Sequence, residues 1–300
     1  MIPDVSVIIV NFNTEDYLVD CIGSIYEHTK SRQFEIIVVD NASEVDPAVK
    51  VLDRYPLVRM VRNTTNRGFG AANNAGAAIA SGRYLFFLNP DTILLNDCIG
   101  IFFDFLNRKT ESSNTVCCGG NLVMPNGRPT TSWGNLPSIF QLISDTGLSK
   151  LYDKQYRHHL AIGNPCDFEK VRRVPYITGA DLFMDKEVFL KTGGFDERFF
   201  MYYEDADLFY KLNRLGYHAY ILPEARIQHH ESMSTSEGFG LSYHKYALLE
   251  KGKYLYFRKN HGALSAFLVK GIQLFTLILH GLFRKTGYTM FKTMRITLAS

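Results

Sequence analysis

Cysteine is scarce and unpaired in this sequence: Cys21, Cys98, Cys117, Cys118 and Cys166 form an odd set with no C-x-x-C spacing. That argues against a disulfide framework and against a zinc site, and it predicts a reducing compartment. Runs of Lys and Arg are missing, and the net charge is only +3 over 300 residues. No segment would track a phosphate backbone, so nucleic acid is not expected as a partner. The opening Met1-Ile2-Pro3-Asp4 lacks a basic region followed by an apolar one, so no signal peptide is expected and the cytosol is the expected location. Low-complexity stretches are absent too. What is present is a globular composition, 46% hydrophobic and 21% charged, enough for one large domain or two small ones.

Short β-rich apolar runs occupy residues 5–10, 34–39 and 84–88, with a weaker one at 58–61. Between them lie helical stretches: Leu18, Cys21, Ile22 and Ile25 at helical spacing, then residues 48–55, 71–80 and 99–106. This alternation, with nearly continuous apolar strands, predicts an α/β fold in which helices cover both faces of a mostly parallel sheet. Residues 125–175 change character, with weak periodicity, many Gly, Pro and Ser, and the only tryptophan, Trp133. Beyond them the pattern predicts a strand over 176–184, a short helix over 186–191, and a helix over 205–214 that stops at Gly216. In the tail, a helix over 263–284 gathers Lys270, Gln273, Thr276, His280 and Arg284 on one stripe and apolar residues elsewhere. It approaches the roughly 20 residues needed to span a bilayer, but Lys270 and His280 interrupt it. The pattern fits a helix lying in a membrane interface, or one packed on the catalytic domain or a second subunit.

Four acidic signals follow this frame, at Asp40, Asp91, Gly194-Phe195-Asp196-Glu197 and Glu204-Asp205, with a glycine-rich turn between the first two. Asp40 ends the second strand, where a carboxylate can accept from a nucleobase or ribose, or simply close an Asx turn into Ala42-Ser43. Asn66-Arg67-Gly68-Phe69-Gly70 is a glycine-rich turn opening a helix of small residues; it suits an anionic or nucleotide ligand, or close packing of the helix on the sheet. Asn89-Pro90-Asp91 follows the fourth strand, where one carboxylate can hold a divalent cation and through it a diphosphate, or the three residues form a plain turn. Glu204-Asp205-Ala206-Asp207 opens a helix whose dipole alone favours acidic residues. The preceding Phe199-Phe200-Met201-Tyr202-Tyr203 adds aromatic walls that would raise a carboxylate's pKa, as a general base requires. His229 and His230 follow another strand pattern, and one of them near an aspartate-bound cation would extend a metal site.

In this order, the residues resemble the inverting family 2 glycosyltransferases with a GT-A fold, and among them the bacterial rhamnosyltransferase-like members. The resemblance runs from about Val5 to about Ser234. It rests on the opening Val5-Ser6-Val7-Ile8-Ile9-Val10-Asn11-Phe12-Asn13, the Val39-Asp40-Asn41-Ala42-Ser43 turn, Asn66-Arg67-Gly68-Phe69-Gly70, Gly179-Ala180, Gly193-Gly194-Phe195-Asp196-Glu197 and Glu204-Asp205. It implies that Asn11, Asp40, Arg67 and Asn89 serve a nucleotide sugar, and that Asp91 and His229 hold Mg²⁺ or Mn²⁺. Asp205 is then the catalytic base, and Gly179, Ala180, Asp181, Asp196, Glu197 and Glu204 shape the sugar and acceptor pocket. Asp91 matches the last aspartate of the family's D-x-D, but Asn89 replaces the first, leaving one fewer anionic ligand.

The resemblance also sets the expected organisation. Residues 1–255 form the GT-A domain, with 125–175 as its irregular acceptor-side region, and 256–300 form a helical segment for membrane association or oligomerisation. The expected activity is transfer of a sugar, rhamnose from dTDP-rhamnose or else a UDP-linked sugar, to a glycan or lipid-linked saccharide in cell-surface polysaccharide synthesis. The implied location is peripheral, on the inner face of the cell membrane. A sugar nucleotidyltransferase is the first alternative, disfavoured because no Gly-rich loop with Arg and Lys follows the first strand. A scaffold without turnover is the second, favoured by Asn89 and opposed by Glu204-Asp205. A dehydrogenase is disfavoured because Gly68-x-Gly70 lacks the dinucleotide spacing.

Overall fold

A computed structural model of the chain describes residues 2–109, 114–146, 148–230, 243–284 and 287–300. Its first half alternates as the sequence pattern predicts: β1 (Val5–Asn11), α1 (Glu15–His28), β2 (Phe34–Asp40), α2 (Ala48–Arg54), β3 (Arg59–Arg62), α3 (Phe69–Ile79) and β4 (Tyr84–Leu88). Then follow β5 (Thr92–Leu94), α4 (Cys98–Lys109), β6 (Thr115–Val123), β7 (Thr131–Gly134), α5 (Ile139–Asp145), α6 (Asp153–His159), β8 (Asn164–Pro165), β9 (Arg172–Val174) and β10 (Tyr176–Ile177). The chain continues through β11 (Asp181–Asp185), α7 (Lys186–Lys191), α8 (Glu204–Arg214), β12 (His218–His229), α9 (Tyr243–His261), α10 (Ala263–Arg284) and α11 (Gly287–Ala299).

The main sheet runs β3-β2-β1-β4-β11-β6-β12-β5, with β9 beside β12. Strands β1 to β4 are mutually parallel, β12 runs parallel to β6, and β11 is antiparallel to both its neighbours. Alternation along β1 explains the two covering layers, because successive side chains leave opposite faces. Val5, Val7 and Ile9 meet Leu18, Cys21, Ile22 and Ile25 of α1 and Phe102 of α4. Ile8 and Val10 meet Ala72 of α3, Phe189 of α7 and Leu208 of α8. The small-residue face of α3 is a packing requirement: a Cβ on Gly76 would sit 2.6 Å from Ile8 Cγ2.

Two expected elements differ. The strand expected over 176–184 is broken at Thr178-Gly179-Ala180: β10 joins a separate sheet of order β10-β7-β8, and only β11 enters the main one. An apolar run cannot reveal that break, because both halves are buried. The irregular stretch 125–175 holds β7, α5, α6, β8 and β9, each of two to seven residues, too short for a readable period. The expected boundary at 255/256 falls inside α9, whose Tyr256 and Phe257 pack with Phe199 and Ala206 of the sheet domain.

Candidate active site

Parallel strands end at one rim. Asn11 lies in register with Asp40 and Ile9 with Leu88, so β1, β2 and β4 deliver Asn11, Asp40 and Asn89 to the same edge. Because β11 runs the other way, with Asp181 opposite Leu88, the turn before it also rises at that edge. Asn89 N–H donates to Ala180 O (2.9 Å), tying the two together. His229 ends β12, opposite Thr92 of β5. Five segments far apart in sequence thus meet along one side of the sheet, as ligand crevices of open α/β sheets do.

Asp40 is nearly buried and held on both oxygens. Its Oδ1 accepts from Asn11 Nδ2 (3.1 Å) and Ser43 Oγ (2.6 Å), and its Oδ2 from Ser43 N–H (3.3 Å). The next residue, Asn41, bridges to the glycine-rich turn: its Nδ2 donates to Asn66 Oδ1 (2.8 Å) and Gly68 O (3.2 Å), and its Oδ1 accepts from Arg67 N–H (3.0 Å). Gly68 has φ +85°, and a Cβ there would sit 2.1 Å from Phe200 O. Glycine is required for both reasons. Arg67 does not reach Asp40; its Nη2 donates to Glu197 Oε2 (2.9 Å), across an exposed ion pair.

Asp91 Oδ1 and His229 Nε2 lie 3.4 Å apart, each side chain mostly enclosed. His230 faces elsewhere, its Nε2 on Gln228 (2.7 Å) and its ring edge-on to Tyr17. One carboxylate and one imidazole are donor types that would suit a Mg²⁺ or Mn²⁺ only if further ligands came from outside the chain. Among the described residues, no group of three His, Cys, Asp or Glu could hold a metal alone. Ser234, where the resemblance ends, lies outside the described residues.

Asp205 and Glu204 begin α8 with unequal surroundings. Asp205 is half-buried, its Oδ1 accepting from Ala206 N–H (2.7 Å) and its Oδ2 from Gly179 N–H (3.2 Å). Burial pushes its carboxyl above the ordinary carboxylate range, against those two N–H bonds, which favour the charged form. Glu204 is buried, with Oε2 lacking a hydrogen-bond partner, and burial plus the charge of Asp205 raises it too. Phe69 packs where a Cβ on Gly179 would project, 3.3 Å away. Tyr202 and Tyr203, directly before the pair, both take the left-handed backbone, at φ 69° and 70°. Such conformations persist only where the surroundings impose them.

Three expected pocket residues are placed differently. Asp181 is fully buried under the rim: Oδ2 accepts from Gly120 N–H (2.6 Å), Oδ1 has no partner, and burial raises its carboxyl strongly. Gly119 and Gly120 make room for it, so its place is the interior and not the pocket wall. Asp196 is engaged by Arg198 Nη2 (2.6 Å) and Lys259 Nζ (2.7 Å), which lower its pKa. Glu197 binds Arg67 and Asn74 Nδ2 (3.2 Å). Both are tied by cations and amides. The sequence assigns no role to Asn41, Asn66 or Asn74, although Asn41 and Asn66 stand in its two turn motifs and an unusual density of Asn marks residues 63–74. The Lys259 contact leaves none.

Comparisons with known proteins follow this geometry. The family model described as "Glycosyl transferase family 2" matches residues 6–164, over half of the chain. The chain is 28% identical over 235 residues to the O-antigen biosynthesis protein RfbC of Myxococcus xanthus, covering 77% of this chain and 18% of that protein. It is 26% identical over 220 residues to the N-acetylglucosaminyl-diphospho-decaprenol L-rhamnosyltransferase of Mycobacterium tuberculosis, covering 68% and 69%. The chain therefore spans under a fifth of the first relative's length and about two thirds of the second's. Among solved structures, GalNAc-T7 with UDP, GalNAc and Mn²⁺ superposes with a TM-score of 0.59 at 17% identity, over 88% of this chain and 51% of that one. Residues 1–349 of S. aureus TarS with UDP give 0.52 at 16% identity, over 94% and 73%. These likenesses establish the GT-A fold.

Proposed function

The chain belongs to glycosyl transferase family 2, and from that premise we propose that it transfers a sugar from a nucleotide donor to a hydroxyl of a glycan or lipid-linked saccharide. The observation that carries the reading is Asp205: an accessible carboxylate, aimed by two backbone N–H groups, on the rim that also gathers Asp40 and Asp91. Asp40, with Asn11, receives the base and ribose; Asn41 fixes the distance from that turn to Arg67. The name of the Mycobacterium tuberculosis relative favours rhamnose as the sugar and a diphospho-lipid saccharide as the acceptor.

Asp91 and His229 would hold Mg²⁺ or Mn²⁺, which supplies charge neutralisation at the donor diphosphate. The protein's own part is the proton. Asp205 accepts it from the acceptor hydroxyl while that oxygen bonds to the anomeric carbon and the bond to the diphosphate breaks on the opposite face. Because attack and departure take opposite faces in one displacement, configuration inverts. The raised pKa of Asp205 strengthens it as a base; Phe69 and the Phe199–Tyr203 aromatics keep water from that proton. Asp205→Asn should leave nucleotide binding within about twofold and reduce transfer roughly 10²–10⁴-fold. Unchanged transfer would reject the assignment.

The tail supports a membrane-surface location. Ten of the chain's 33 Lys and Arg, and one of its 30 Asp and Glu, follow residue 242. No helix among the described residues is long and apolar enough to cross a membrane. Helix α10 instead turns Leu264, Phe267, Leu268, Phe275 and Ile278 outward, and buries Val269. Its polar stripe faces the protein: Lys270 Nζ donates to Leu298 O (3.2 Å), and Gln273 Nε2 to Tyr246 Oη (3.1 Å). The side chains of His280 and Arg284 lie outside the described residues. An outward apolar row inside a basic segment suits an anionic lipid surface.

A further inference from the structure

Asp207 is fully buried on α8, two residues after Asp205, and its partners come from the tail. Lys259 Nζ on α9 lies 2.7 Å from Asp207 Oδ2 and 2.7 Å from Asp196 Oδ2; Asn260 Nδ2 donates to Asp207 Oδ1 (3.0 Å). Lys211, on α8 itself, stands 4.0 Å away and donates to Gly194 O (2.6 Å) and Thr192 O (3.2 Å). Tyr210 Oη donates to Asn260 O (2.9 Å). One ammonium therefore joins three segments: α9, the base-bearing helix, and the Gly194–Phe199 loop that leads into the aromatic run.

A second contact presses on the same place. Gly252 of α9 lies against the backbone of Tyr202, where a Cβ would sit 2.7 Å from Tyr202 O and 3.3 Å from the Tyr203 ring. Tyr202 and Tyr203 are the two consecutive left-handed residues. The Tyr203 ring packs against Tyr256 of α9, at 5.8 Å between centroids. Left-handed tyrosines relax unless held, and α9 is what holds them. Nothing in the reaction itself requires this helix, yet it braces the entry to α8 on one side and neutralises a buried carboxylate on the other.

We infer that Lys259, with Asn260, is a positioning residue for the base: α9 is a strap that fixes α8 and the 196–203 loop so that Asp205 stays aimed at the acceptor hydroxyl. The strap rests on the assignment of Asp205 as base. It also joins the outward apolar face of α10 to the site, since α10 packs on α9.

The test separates aiming from folding. Lys259→Met leaves buried Asp207 with Lys211, 4.0 Å away, as its remaining cation, so it lowers the melting temperature as well as turnover. The double variant Asp207→Asn with Lys259→Met removes the stranded charge. We expect it to recover most of the melting temperature while transfer kcat stays at least tenfold below wild type, and UDP and dTDP bind within about twofold. Turnover is measured with the nucleotide sugar that stabilises the wild type most. Recovery of kcat together with melting temperature, or wild-type kcat in either variant, overturns the strap. Asp205→Asn run alongside keeps the two ideas apart. Loss of transfer there with normal kcat in the Lys259 variants rejects the strap alone, whereas normal transfer there rejects both.

Discussion

Asp181 shows how one residue's environment decides its part. A carboxyl with one N–H donor, one unpartnered oxygen and no access to water is favoured in its neutral form. Its folded-state pKa therefore lies above the unfolded value near 3.9, and the stability it lends is complete below that value and is lost as pH rises through the folded pKa. Asp181→Asn should match wild type in unfolding free energy near pH 3, then exceed it increasingly toward pH 7, by on the order of 1–2 kcal/mol. A constant difference across that range would show that the carboxyl does not titrate as described. Asp91 carries the complementary case, a carboxylate proposed to meet a cation. Chelation should weaken nucleoside diphosphate binding in wild type, and Asp91→Ala should bind weakly with no response to chelator, as titration calorimetry would show. At this scale the sequence showed where Asp40 and Asp91 stand, one ending a strand and the other in the turn after one. It was silent on Asp181, because a pocket carboxylate and a buried one look alike until Gly119 and Gly120 of a strand distant in sequence are placed beside it.

Elements add what single residues lack. The turn before α3 works because Gly68 adopts φ +85° and lets Phe200 O accept from Phe69 N–H (2.9 Å). Gly68→Ala would force that contact apart and separate the nucleotide turn from the aromatic run; we expect kcat/KM to fall more than tenfold with nucleotide binding weakened, both read from steady-state kinetics and calorimetry. Helix α10 makes the opposite kind of prediction, since its outward residues contribute little to folding. Phe267 is 73% and Phe275 59% exposed, so Phe267→Ser with Phe275→Ser should leave the melting temperature unchanged. Vesicles of anionic lipid should bind the variant at least tenfold more weakly, given roughly 1.5–3 kcal/mol for each large apolar side chain buried. Equal binding would reject the lipid surface. Sequence periodicity found α10 and its polar stripe, but not which way the stripe points. That depends on Tyr246 and Leu298, partners supplied by two other helices.

Across the whole molecule, the architecture follows from one repeated device: parallel strands that end together. Once β1, β2 and β4 pair in register and β11 reverses beside them, Asn11, Asp40, Asn89 and the turn before Asp181 share one edge. The parallel half was readable, because nearly continuous apolar strands alternating with helices admit few arrangements; the reversal of β11 was not. The break between β10 and β11, the tail's grip on α8, and the pairing of Lys259 with residues 52 and 63 positions earlier were not. Long-range ion pairs carry no local pattern. The account's central claim is that a single carboxylate, Asp205, faces the acceptor hydroxyl from the side opposite the donor diphosphate. The most direct test is the anomeric configuration of the first-formed product, followed by ¹H NMR during turnover. The account predicts a configuration opposite to that of the donor from the earliest time point; a product that keeps the donor's configuration would contradict it.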